Sequence, residues 1–184
     1  MNTSESAACL ICQRITEIGA GKNRHFVAEL DTGYVVLGDF QFFRGYTLFL
    51  GKRHVAELHH LGMPEKERFL VEMSLVAESV YNCFNPKKIN YECLGNAEPH
   101  LHWHIFPRHE DDPSPGTSSW KIDKATRYDE RYRLTDSQAL IMRQKLLQEL
   151  RNRDGLSVRS TPNQSLGSAF ASDTPRAGYE PGHR

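Results

Sequence analysis

Residues 100–104 read His-Leu-His-Trp-His and continue into Ile105, Phe106, Pro107 and Arg108. Successive side chains of an extended strand point to opposite faces, whereas a helix scatters every second residue around its barrel. The alternation therefore specifies a strand, with His100, His102 and His104 on one face and Leu101, Trp103 and Ile105 buried on the other. Three titratable rings within about 13 Å, at roughly 3.3 Å per residue, build a poor core. They suit a site that handles phosphate, protons or a metal. A lone histidine is usually a satisfied surface or core residue; a strict row of three is not read that way.

The surrounding pattern supplies a fold for this strand. Residues 8–20 read as a helical hook ending in glycines, and His25–Leu30 and Tyr34–Leu37 form a hairpin across Asp31-Thr32-Gly33. Gly45–Gly51 is a third strand, apolar on both faces and hence central. From Pro64 to Phe84 the residues Phe69, Leu70, Met73, Val76, Ala77, Val80, Tyr81 and Phe84 make one apolar helical stripe. Glu67, Arg68, Glu72 and Glu78 supply its solvated face, and Asn85-Pro86 ends it. Ile89–Leu94 and Leu101–Phe106 complete five strands. After a Pro/Ser/Gly/Asp loop at 111–119, a second helix spans Leu134–Asn152, capped by Thr135 or Asp136, with Leu140, Ile141, Leu146, Leu147 and Leu150 inward. The expectation is an α+β fold: an antiparallel sheet of about five strands, one long helix and a C-terminal helix. Residues 1–154 make up the domain, and 155–184, rich in Ser, Pro, Gly and Asn, read as a mobile tail.

Charge and length narrow the partners. Lys+Arg and Asp+Glu both total 23 in 184 residues, which argues against a whole-protein grip on nucleic acid or an anionic membrane. No apolar run approaches the roughly 20 residues of a membrane span, and Met1–Ala8 carry no secretory pattern, so a soluble cytoplasmic protein is expected. Four cysteines are too few and irregular for a disulfide scaffold; Cys83 and Cys93 read as buried apolar thiols.

The run His100-Leu-His102-Trp-His104-Ile-Phe106 resembles the motif of the histidine triad (HIT) family, and Pro107-Arg108 is similar to members acting on dinucleotides. Gly45-Tyr-Thr-Leu-Phe-Leu-Gly51-Lys-Arg-His54 is similar to the family's second landmark, with Tyr46 where histidine is usual and Gly51 where proline is usual. Leu94–His100 resembles bacterial diadenosine tetraphosphate hydrolase-like members, and the likeness covers about residues 8–110. It implies a HIT-like fold and a hydrolase that cleaves dinucleoside polyphosphates, such as diadenosine tetraphosphate, through a nucleotidyl-histidine intermediate. His102 would be the nucleophile, and His104 a hydrogen-bond donor to phosphate or leaving group. Asn96 would be a neutral donor to the developing charge. A neutral imidazole suits the nucleophile's role, since its pKa near 6.5 leaves a bare nitrogen at neutral pH.

Asp39 stands where the family bonds ribose hydroxyls, or else caps a turn; Arg108 would meet outer phosphates, or else form a surface ion pair. The likeness leaves open a phosphorylase or transferase, a nucleoside phosphoramidase, or a weakly active nucleotide-binding protein. It also implies a homodimer. Cys9-x-x-Cys12, with His54 and His100, matches the structural-zinc set of related members; the alternative is a pair of reduced, buried cysteines. No organic cofactor is expected.

Overall fold

A computed structural model describes residues 9–162. Among them five strands form one antiparallel sheet in the order β1-β2-β3-β5-β4. The strands are β1 Phe26–Glu29, β2 Gly33–Leu37, β3 Thr47–Gly51, β4 Lys88–Glu92 and β5 His102–Arg108. The helices are α1 Leu10–Gly19, α2 Met63–Phe84, α3 Lys124–Arg127 and α4 Asp136–Arg151. The α+β expectation holds, and the histidine strand lies second from the edge, between β3 and β4.

The apolar alternation divides the sheet into two unlike faces. Val35, Leu37, Phe49 and Ile105 point toward α2 and α4, where Phe69, Val76, Val80, Leu146 and Leu150 close the main core. Phe49 and Phe69 stack with centroids 5.0 Å apart. On the opposite face Phe26, Val36 and Leu50 pack beneath α1 with Cys9 and Ile11. His102 and His104, opposite Leu50 and Leu48 in the register, share this second face. α2 begins with Pro64 in its first turn and ends at Asn85, whose φ of 49° is the left-handed stop. α4 carries a capping box between Thr135 and Gln138.

Four expectations need correction. Glu72 is fully buried rather than solvated: its carboxylate accepts the N–H groups of Asp31 and Thr32 at 3.0 and 2.9 Å and the Thr32 hydroxyl, with Arg68 3.2 Å away. The β1–β2 turn needs an acceptor for its amides, and the helix supplies it. On α4, Leu140 and Ile141 are exposed while Ala139 is buried, because the helix is turned to present Ala139, Leu146 and Leu150 to the sheet. Cys93 is exposed, since β4 ends at Glu92 and the chain leaves the sheet there. The stretch after Gly155, expected to belong to the mobile tail, lies along β1: Glu29 and Ser160 form a β-bridge, Arg159 pairs with Asp31 at 2.5 Å, and Leu156 and Val158 pack on the core. β1 would otherwise be a bare edge, and pairing satisfies it. The rest of that expected tail, 163–184, and the segment 1–8 fall outside the described residues.

Candidate active site and metal centre

The geometry of the histidine row follows from which ring nitrogens meet carbonyls. His102 Nδ1 lies 2.5 Å from the His100 carbonyl and His100 Nε2 lies 2.8 Å from the Gly51 carbonyl. A carbonyl only accepts, so each of these nitrogens carries the proton and the other nitrogen of each ring is bare. His102 thus presents an unprotonated Nε2, 3.0 Å from His104 Nε2. That contact requires one hydrogen, which His104 must donate. His104 Nδ1 is then an acceptor, and the Tyr46 hydroxyl donates to it across 2.6 Å. Tyr46 to His104 to His102 to the His100 carbonyl is one directed chain of hydrogen bonds.

Burial keeps this chain uncharged. It holds His100 and His102 below the usual imidazole range. It pushes His104 down to about 3, helped by the Arg127 charge and by the neighbouring His102, beside which a second protonated ring is disfavoured. The Tyr46 phenol is driven well above its ordinary range, again by burial, so it remains a donor. Tyr46, His104 and Phe106 stack in one column: Tyr46 on Phe106 at 4.4 Å and His104 on Phe106 at 5.7 Å.

His100 turns its bare Nδ1 the other way. With Cys9 Sγ, Cys12 Sγ and His54 Nδ1 it forms a group whose four ligand atoms all lie within 4.8 Å of one another. Sγ–Nδ1 separations are 3.3, 3.4 and 3.6 Å, and the two Nδ1 atoms stand 3.3 Å apart. The edges of a zinc tetrahedron with Cys and His ligands are about 3.3–3.8 Å. The bond from His100 Nε2–H to the Gly51 carbonyl is also of the kind a metal-bound imidazole makes. The four residues lie close enough to bind a metal, and their donor chemistry fits zinc. α1, capped by Cys9 itself, brings the two sulfurs to the sheet.

The remaining sequence-predicted residues separate. Asp39 follows β2 and accepts both Nη atoms of Arg14, at 2.9 and 2.5 Å, with His25 Nε2 3.5 Å away. Burial pushes its carboxyl up, but the Arg14 bonds and charge outweigh that and hold it below the usual range. It lines a cavity of about 290 Å³ with Leu10, Arg14, Arg24, His25 and Arg133. Asn96 is exposed on the loop before His100, and among the described residues no hydrogen bond joins it to the triad. Arg108 is turned into the protein. It is buried, its Nε on Asp112 at 2.5 Å, Nη1 on Asn90 and the Thr117 carbonyl, both at 2.7 Å, and Nη2 on the Ser114 carbonyl at 2.7 Å. An arginine at a strand end beside an irregular loop has many carbonyls to satisfy, and this one ties down residues 112–117.

One segment carried no functional reading in the sequence. Residues 119–133 fold back over the histidine face, with Trp120 edge-on to His104 at 5.1 Å and to Phe106 at 5.8 Å. Interleaved aromatic and basic residues (Trp120, Arg127, Tyr128, Tyr132) are the signal that could have found it.

Residues 21–111 of the chain match the HIT (histidine triad) domain family, whose members are typically nucleotide hydrolases or transferases. The solved structures it is similar to agree in fold. A histidine triad protein of Sinorhizobium meliloti aligns at 21% identity and TM-score 0.60, covering 69% of this chain and 91% of that one. A histidine triad protein of Marinobacter aquaeolei aligns at 23% identity and TM-score 0.60, covering 70% and 90%. A Plasmodium falciparum diadenosine triphosphate hydrolase aligns at 13% identity and TM-score 0.53, covering 70% and 78%. No curated protein matches by sequence.

Proposed function

We propose that this chain hydrolyses dinucleoside polyphosphates, such as diadenosine tetraphosphate, through a nucleotide carried on His102. The observation that carries the reading is the bare His102 Nε2, fixed by the 2.5 Å bond from Nδ1–H to the His100 carbonyl. A nitrogen whose ring proton is locked on the opposite side can attack phosphorus without a separate base once His104 turns its N–H from it to the phosphate. As the N–P bond forms and the bond to the leaving phosphate breaks, the ring becomes positive, and the His100 carbonyl stabilises it. His104 Nε2–H, released from His102, is free to donate to the phosphoryl oxygen or the leaving group. Water then attacks the same phosphorus, the N–P bond breaks, and the nucleoside monophosphate leaves with His102 neutral again. The Plasmodium neighbour of similar fold, a diadenosine triphosphate hydrolase, supports the reading.

Cys9, Cys12, His54 and His100 would hold a structural zinc that pins α1 to the strand bearing the nucleophile. Four protein ligands leave no position for a reactive water, so the zinc would supply rigidity only. Acid-quenched incubation with labelled diadenosine tetraphosphate should trap a nucleotide on His102, and His102→Ala should lose at least about a thousandfold in turnover while keeping nucleotide affinity. Label on another residue, or full turnover by the variant, would remove the proposal. Running the reaction with inorganic phosphate distinguishes a phosphorylase, which releases nucleoside diphosphate.

A further inference from the structure

A substrate with several phosphates needs a cation beyond the α-phosphorus, and Arg108 cannot supply it, since every one of its nitrogens is committed to the 112–117 loop or Asn90. The histidine face nonetheless has an arginine beside it. Arg127 lies with its guanidinium 4.6 Å from the Trp120 ring and 5.4 Å from the Tyr128 ring. Trp120 is the residue whose edge meets His104. Arg127 Nε donates to the Ile122 carbonyl at 2.9 Å, which fixes the fork. Among the described residues neither Nη atom has a hydrogen-bond or ion-pair partner. Its neighbours differ: Arg131 pairs with Asp129 at 2.7 Å and Arg133 with Glu130 at 2.6 Å. The segment holding Arg127 is itself anchored, by the Phe40–Arg133 bridge and by the Gln41 N–H to the Tyr132 carbonyl at 2.8 Å.

We propose that Arg127 is the phosphate clamp of this site, its two Nη atoms binding the oxygens of a polyphosphate beyond the α-phosphorus and favouring leaving groups that carry phosphate. The inference rests on the His102 reading and names what that reading leaves open, the class of leaving group. A guanidinium fork matches phosphate oxygens bidentately, and one already stacked on an indole has lost most of its rotamer freedom before the ligand arrives. Arg127 also acts electrically on the reacting groups. Burial is the main reason His104 resists protonation, and the Arg127 charge adds to it; the same charge acts on Tyr46 against the upward push of burial. Arg127 lies beyond residue 111, where the matched HIT domain ends. The clamp thus sits outside the matched segment that carries the histidine strand.

Two measurements on the full chain test it. In steady-state kinetics, Arg127→Ala should lose about 10- to 100-fold in kcat/KM on diadenosine tetraphosphate, with Arg127→Lys recovering part. The loss on adenosine 5′-phosphoramidate, whose leaving group has no phosphate, should be at least about tenfold smaller. Equal losses on the two substrates, or none, overturn the clamp. Calorimetric binding of inorganic tripolyphosphate needs no turnover and separates this inference from the one it rests on. Affinity should fall at least about tenfold in Arg127→Ala and persist in His102→Ala. Unchanged affinity in Arg127→Ala overturns the clamp while leaving the His102 chemistry intact; weakened affinity in a protein that never labels His102 supports the clamp and overturns the hydrolase reading alone.

Discussion

Tyr46 is the side chain in which this chain departs most usefully from the pattern it resembles. Its hydroxyl sits 2.6 Å from His104 Nδ1, and its high pKa keeps the proton on oxygen. The His104 tautomer is therefore set from behind, and the ring must point N–H toward His102. Room for the phenol comes from Gly38, where a Cβ would lie 2.1 Å from the Tyr46 ring. Tyr46→Phe keeps the stack on Phe106 and removes only the donor, leaving His104 free to take the other tautomer. We expect kcat to fall about three- to tenfold, the worth of one neutral hydrogen bond, with KM little changed. Wild-type kcat in the variant would show that the hydroxyl orients nothing. The tyrosine's position was legible in the sequence; its partner was not, because the diagonal contact from Tyr46 to His104 depends on which residues of β3 and β5 pair, and register is a property of two strands.

Elements that follow a simple period were readable, and those that answer a polar demand were not. The histidine strand, the hairpin and the long helix all announce themselves through alternation or the 3.6-residue stripe. Glu72 sits in that stripe's polar gap, and nothing local says that it faces the core; its reason lies 40 residues away, in the unsatisfied amides of Asp31 and Thr32. Arg108, read as meeting outer phosphates or forming an ion pair, pairs with Asp112, and its other partners were not legible because most belong to a loop whose path the sequence does not state. Gly51, where proline is usual, donates its N–H to the Leu101 carbonyl at 3.0 Å, a bond proline cannot make, so β3 here gains a tie to the start of the histidine segment. The Glu72 staple gives a direct test of how α2 holds the β1–β2 turn. Glu72→Leu fits the volume but leaves the two turn amides and the Thr32 hydroxyl without their acceptor, while Arg68 keeps Asp31 and the Gly155 carbonyl. We expect a loss of about 2–4 kcal/mol, read as a lower midpoint in denaturant unfolding. A midpoint within experimental error of the wild type would mean that water replaces the carboxylate at no cost.

At the scale of the molecule, three peripheral pieces converge on one sheet: α1 on the triad face, the 119–133 segment beside it, and residues 155–160 along β1. Of these, α1 is the least able to stay in place by itself. It is 10 residues long, too short to persist alone, and its core has five buried residues, Cys9, Ile11, Phe26, Val36 and Leu50, with Cys12, Ile15, Ile18, Tyr34 and Leu48 partly buried against them. The Arg14–Asp39 pair adds one ion-pair contact, with both side chains about a quarter exposed at 26%. Beside α1 converge two thiols and two imidazoles, Cys9, Cys12, His54 and His100, with their ligand atoms within 4.8 Å of one another. A metal bound there would tie the hook to the sheet and convert binding free energy into folding free energy. Protein prepared without a polyhistidine tag should therefore contain close to one zinc per chain, and Cys12→Ser should lose the metal and unfold at a markedly lower temperature. Because the four ligands leave no open coordination position, the variant should retain His102 labelling at temperatures where it is still folded, within several-fold of the wild-type rate. Metal-free native protein of undiminished stability would show the cysteines to be packing residues. Loss of labelling in a folded, zinc-free variant would instead tie the metal to the reaction, since His100 would be a ligand and also supplies the carbonyl that holds the nucleophile's proton.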